Sequence, residues 1–175
     1  MVDLREKVVQ DRGIIAKIQS VIPGFSGYRA TEDLRAADNM LRIQVADRLA
    51  SIRGDLEASR AILMDNGKFE GLDRIGTLVS KFKTIEGEIR HAAQGYSGIA
   101  ARIQVGENQL NKLYEYDLNL TTLLTEIKAE VDRIKALAVT GGPDFKQSLA
   151  ALAIKLDGLQ GTNKRRMAFI MGVEV

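Results

Sequence analysis

Few residues of this 175-residue chain have the type and spacing that chemistry requires. The first stretch that does is Ile22-Pro23-Gly24-Phe25-Ser26-Gly27-Tyr28-Arg29, and Gln94-Gly95-Tyr96-Ser97-Gly98 repeats its Gly-aromatic-Ser-Gly core 71 residues later. Glycine supplies positive φ and close backbone approach, and serine offers a hydroxyl for local backbone bonding. With Arg29 and Arg102 downstream, two such turns beside helix N-termini have the makings of an anion site. Phe25, Ser26, Tyr28, Arg29, Tyr96, Ser97 and Arg102 also form a candidate pole for a protein partner. The simpler reading is that the aromatics plug the end of a helical bundle and the glycines serve only the turns. Neither stretch has the Gly-x-x-x-x-Gly-Lys-Ser/Thr pattern of a nucleotide-binding P-loop.

A second candidate lies near the C-terminus. Lys164-Arg165-Arg166 is followed by Met167, Phe169, Ile170 and Met171. Cations beside apolar groups suit an anionic membrane surface or a partner groove, with Lys164, Arg165, Arg166 and Phe169 as the residues that would carry it. The simpler reading is a helix end whose cations complement the dipole.

Metal and acid–base chemistry find less support. His91 is the only histidine, and with Glu88 it spells Glu-x-x-His, a ligand pair of diiron bundles that need two such pairs. A second pair is impossible here, and a histidine-dependent triad is equally unsupported. There is no cysteine, which excludes disulfides, thiolate metal sites and a thiol nucleophile. No catalytic residue, cofactor or metal site is assigned. Asp11, Asp38, Arg48 and Asp117 fall on or beside apolar stripes. Buried carboxylates need partners or shifted pKa values, and Asp–Arg pairs inside a bundle would fix its register. The simpler reading is that the stripes drift and these groups reach solvent.

The elements that must position these residues are helices. Apolar residues make up 45% and charged residues 27%, as expected of a folded globular chain. Aromatics are only 5% with no Trp, so the core must be aliphatic, which suits packed helices. The charged start, Met1 to Lys7, lacks a signal-peptide core, and no run approaches the roughly 18 apolar residues of a membrane span. A cytoplasmic setting is expected. A net charge of +2 makes nucleic acid an unlikely partner.

Apolar spacing predicts one helix over residues 2–22, ended by Pro23. A second runs from the N-cap Thr31 to about Asp65, with Asn66-Gly67 as its stop. A third starts between Lys68 and Leu72 and ends at Gln94-Gly95. Residues 99–105 are ambiguous between a short helix and an extended connection. The fourth carries a coiled-coil-like seam from Leu110 to Ala138, and Thr140-Gly141-Gly142-Pro143 is a turn. A fifth follows over 143–171, and Gly158 and Gly161 leave its continuity open. The 71-residue offset also pairs Leu4 with Ile75 and Ile18 with Ile89. A pseudo-repeat of 1–66 and 72–139 and convergent loop chemistry are both open. If the helices alternate up and down, both Gly-aromatic-Ser-Gly loops share one end and the Asn66-Gly67 and Gly141-Gly142-Pro143 turns share the other.

Ile22-Pro23-Gly24-Phe25-Ser26-Gly27-Tyr28, then Glu32-Asp33-Leu34-Arg35, Gly95-Tyr96-Ser97-Gly98 and Leu113-Tyr114-Glu115-Tyr116-Asp117-Leu118 together resemble a family of small uncharacterised prokaryotic all-helical proteins. The resemblance covers most of the chain to about Val139. It implies a helical architecture and a prokaryotic cytoplasmic setting, and it transfers no activity and no site residue.

The expected fold is all-α, one domain over 1–175, an elongated antiparallel bundle of four to five long helices. The expected function is a non-enzymatic interaction or scaffold role, with a protein partner or self-association. The alternatives are a peripheral membrane-associated protein and an anion- or small-ligand-binding bundle that uses the paired loops.

Overall fold

The computed structural model describes residues 4–28, 31–92 and 107–172. They form five helices with no strand among the described residues: α1 (Leu4–Val21), α2 (Thr31–Asp65), α3 (Leu72–His91), α4 (Glu107–Leu137) and α5 (Pro143–Ile170). Their ends have local causes. Beyond α1, the amide of Ile22 still bonds to the Ile18 carbonyl at 2.7 Å before Pro23 stops the helix. After α2, Gly67 takes φ +66. Its amide donates to Met64 O at 3.0 Å, and that of Lys68 to Leu63 O at 2.8 Å. This is the Schellman arrangement, which satisfies carbonyls that a helix end leaves open. Pro143 sits in the first turn of α5, where its missing N–H costs nothing. α5 continues through Gly158 and Gly161 as one helix of 28 residues, because burial of Leu156, Leu159 and Ile170 on either side outweighs a glycine cost of about 1 kcal/mol each.

Each apolar stripe faces the core: Leu41, Val45, Leu49, Ile52 and Leu56 from α2, Phe82 and Ile85 from α3, Leu124, Ile127 and Val131 from α4, Leu152 and Leu156 from α5. Helices adjacent in sequence pair as two hairpins, α2 with α3 and α4 with α5. Cross-links between elements fix their directions. Arg90 meets Asp47 at 2.6 Å and Arg53 meets Glu86 at 3.5 Å, so α2 and α3 are antiparallel. Lys155–Glu126 at 3.2 Å and Asn119–Thr162 at 3.4 Å do the same for α4 and α5. Between hairpins the sense is reversed. Asp55 reaches Lys135 at 3.4 Å while Asp38 sits near Asp117, and Lys81 pairs with Asp157 while Glu88 accepts from Gln160 at 2.9 Å. From α2 to α5 the helices alternate up and down, so α2 lies parallel to α4 and α3 to α5. α1 breaks the alternation: Ile15 lies near Gly27 and Tyr114 while Val21 lies beside Ile52 and Leu124, so α1 runs parallel to α2 and α4. The bundle is thus antiparallel only within each hairpin. α1 packs along α4.

These directions create two poles. The C-terminal ends of α3 and α5 meet the N-terminal parts of α2 and α4 at the first. α1 instead ends beside the middle of α2 and α4, and the Pro23–Tyr28 loop climbs back from there to this pole. The two interhelix turns share the second. There the position a Gly141 Cβ would take is 3.7 Å from the Lys68 side chain, and that of Gly71 is 2.8 Å from Phe145. The expected neighbour of the Phe25 loop, Gly95 to Gly98, lies outside the described residues.

Candidate functional site: a buried polar network at the first pole

The Phe25 loop turns inward. Phe25 is fully buried and Tyr28 is 4% exposed, whereas Ser26 faces solvent. The two rings meet edge to face at 5.4 Å, and Tyr114 of α4 closes the cluster 5.3 Å from Tyr28 and 6.5 Å from Phe25. Gly27 makes this approach feasible. It holds φ +87, and a Cβ there would stand 2.7 Å from the Tyr114 hydroxyl. That hydroxyl accepts the Tyr28 backbone N–H at 2.8 Å. Gln19 donates to Phe25 O at 2.7 Å and Gln44 to Pro23 O at 3.0 Å, which ties the loop to α1 and α2.

Below the rings sit charges. Arg166 of α5 is fully buried. Its Nε donates to Asp117 Oδ1 at 2.6 Å and its Nη2 to the Tyr28 hydroxyl at 3.2 Å. Its Nη1 forms an ion pair with Asp38 Oδ1 at 2.7 Å, close in distance but poorly aligned for a hydrogen bond. The Tyr28 hydroxyl donates to Asp117 Oδ2 at 2.5 Å. Arg42 Nε donates to Asp38 Oδ2 at 2.8 Å, and its Nη1 reaches the carbonyls of Ile89 and Arg90 at 3.3 and 3.2 Å, covering the C-terminal end of α3. Two carboxylates and two guanidiniums balance; three of the four carboxylate oxygens accept hydrogen bonds, and Asp38 Oδ1 has only the ion pair with Arg166.

Burial and charge set the protonation states. Burial raises the Tyr28 phenol well above its ordinary value of 10.0, and the Asp117 carboxylate adds to this, so Tyr28 is a neutral donor at neutral pH. Burial also pushes Asp117 above the usual carboxylate value, and Arg166 and the Tyr28 bond offset only part of that. For Asp38 burial acts in the same direction, but Arg166 and Arg42 together outweigh it and the carboxyl lies below its usual value. Tyr28 is thus held neutral, and both carboxylates are engaged by guanidiniums. The arrangement joins α2, α3, α4, α5 and the loop at one point. A buried ion pair of this kind adds little net stability over apolar packing, and its attested use is to fix register.

Several sequence expectations are corrected here. Phe25 and Tyr28 do not form an exposed pole, because ring packing and the Asp117 bond draw them into the core. Arg166 does not belong to a surface basic segment. It points inward to two carboxylates, leaving Lys164 and Arg165 exposed. Phe169 is half-buried against Tyr116 at 5.8 Å, with Lys112 over its ring at 5.4 Å. Asp38 and Asp117 do not drift to solvent, and Arg48 does. Arg29, Tyr96, Ser97 and Arg102 lie outside the described residues, as does the Asp11 side chain. Glu88 accepts from Gln160, His91 is exposed, and no group of three or more metal-ligating side chains occurs among the described residues. Arg42 and Tyr114 were not singled out as site residues. Arg42 stands four residues after Asp38, a spacing that places the two side chains together on a helix.

No family model, curated protein or solved structure matches the chain. No described helix is long and apolar enough to cross a membrane.

The loop geometry makes a direct prediction. Gly27→Ala must strain a left-handed backbone and push on the Tyr114 hydroxyl, at a cost of about 2–3 kcal/mol. Gly24 has φ +84 but its nearest neighbour would be 3.8 Å away, so Gly24→Ala should cost less. Urea unfolding of both variants measures the difference.

Proposed function

We propose that this chain is a non-enzymatic helical scaffold that docks a protein partner, or a second copy of itself, through the second pole. The observation that carries this reading is the grouping of exposed apolar side chains at that end. Met64 at the end of α2 is 56% exposed, Phe69 in the α2–α3 turn 67%, and Val139 after α4 51%. The two turns that bear them are adjacent through Lys68 and Gly141. Clustered apolar exposure on a soluble surface marks interaction sites more often than single exposed residues do. The first pole supports the same reading, because its polar side chains are bound to one another. A prokaryotic cytoplasmic setting, implied by the family resemblance, belongs to this proposal.

A peripheral membrane role draws less support, since Arg166 is withdrawn from the basic cluster. Crosslinking followed by affinity capture from native cells tests the scaffold reading, with Phe69→Asp as the comparison. The expected result is a recovered partner, or a self-crosslinked dimer, that is lost in the variant while its melting temperature is kept. A partner recovered equally by both proteins would overturn the assignment to this pole. A chain that stays monomeric and recovers nothing reproducibly would overturn the scaffold reading.

A further inference from the structure

Arg48 has no role in the network or at either pole. It precedes the buried Leu49 on α2, it is exposed, and it has no ion-pair partner among the described residues. It borders an open groove of ≈ 390 Å³ between the C-terminal end of α1, the middle of α2 and the middle of α4. The groove has an apolar floor of Val21, Ile52 and Leu124. Ser51 adds a hydroxyl on the α2 side and Lys128 a second cation on the α4 side. Lys128 is already paired with Asp132 and, at 3.7 Å, with Asp55. Arg48 is therefore the cation whose charge the groove leaves unanswered.

We propose that this groove binds a small organic anion, a carboxylate or phosphate monoester attached to an apolar body. Arg48 presents a planar fork of N–H donors that matches the oxygens of either anion, and Ser51 supplies a further donor. The apolar body lies on half-buried Val21 above the buried Ile52 and Leu124, so the gain comes mainly from taking its own surface and that of Val21 out of water. The volume is in the lower part of the range for small-ligand sites, roughly 300–1,000 Å³. Three helices supply the walls, so a bound anion also fastens the end of α1 to α2 and α4. This site is separate from the paired loops, whose Phe25 and Tyr28 are spent inside the bundle.

The test is a titration of isotope-labelled protein with phenyl phosphate, followed by amide chemical shifts. Inorganic phosphate and benzyl alcohol serve as the two halves of the probe, and a lysophospholipid extends the apolar body. The expected result is saturable shifts confined to the neighbourhoods of Val21, Arg48–Ile52 and Leu124–Lys128. Arg48→Ala should weaken phenyl phosphate binding about tenfold or more with an unchanged melting temperature, and Arg48→Lys should fall between the two. Inorganic phosphate and benzyl alcohol should each bind more weakly than phenyl phosphate. Tighter binding of the lysophospholipid would identify the ligand as a lipid, and weaker binding as a small soluble anion; both agree with the proposal. Absence of saturable shifts in this groove, or an affinity unaffected by Arg48→Ala, overturns it. So does benzyl alcohol or inorganic phosphate binding as tightly as phenyl phosphate.

Discussion

Arg166→Met should cost about 3–5 kcal/mol of unfolding free energy, because removal of one partner leaves buried charge uncompensated. Asp38 and Asp117 would both remain, 2% and 0% exposed, without the cation that lies 2.7 and 2.6 Å from them. The pH dependence of this loss is the more specific result. In the native protein Asp38 titrates below its unfolded value. Its contribution favours folding above the unfolded pKa and is lost as pH falls through the lowered folded value. Asp117 titrates above its unfolded value. It opposes folding increasingly as pH rises from the unfolded pKa through the raised folded one, and acidification relieves it. Without Arg166 both carboxyls move upward, since its charge is the strongest attraction holding each of them down. The folded variant then takes up protons more readily than its unfolded chain. Its stability deficit should therefore shrink between pH 7 and about pH 4. Urea midpoints at the two pH values measure this, and an equal deficit at both would mean that the carboxylates do not bear on Arg166.

Phe25→Ala is the second large effect, about 3–5 kcal/mol, the usual cost of emptying a buried phenylalanine site. Phe25 is fully buried and packs edge to face on both Tyr28 and Tyr114. The Tyr28 ring of the loop and the Tyr114 ring of α4 line the cavity it would leave, and the loop backbone is held in place by Gln19 of α1. An aromatic that merely displayed itself to a partner would cost within about 0.5 kcal/mol on truncation. Chemical unfolding of the variant distinguishes a plug from a patch.

The helices were legible in the sequence because their causes are local. Apolar spacing, Pro23, Gly67 and the Gly141-Gly142-Pro143 turn act within a few residues, and the seams they bound are the ones that pack. The relative placement of the hairpins was not legible. That α2 packs on α4, and that α1 packs along α4, depends on which stripes meet across the core, and aliphatic stripes are nearly interchangeable. The buried network was only half legible. Asp38 and Asp117 could be marked as carboxylates on apolar stripes, but their partner is 128 residues from one and 49 from the other. Within its own neighbourhood Arg166 looks like the third member of a basic run. Only the phase of α5, which turns Arg166 inward with Leu159 and Ile170 and leaves Lys164 and Arg165 outside, separates it from that run. The glycines of the loop could be assigned to a turn, whereas the reason for Gly27, the Tyr114 hydroxyl, comes from another helix.

The most direct test of whether the Phe25–Tyr28 loop is a clasp built into the bundle is a double-mutant cycle between Tyr28→Phe and Asp117→Asn. The two side chains are 89 residues apart in sequence and share a 2.5 Å hydrogen bond. Both substitutions keep the shape of the side chain, so the variants should fold. A clasp predicts a coupling of about 1–3 kcal/mol in unfolding free energy, with the double variant less destabilised than the sum of the singles. Additive losses, with a coupling near zero, would contradict it.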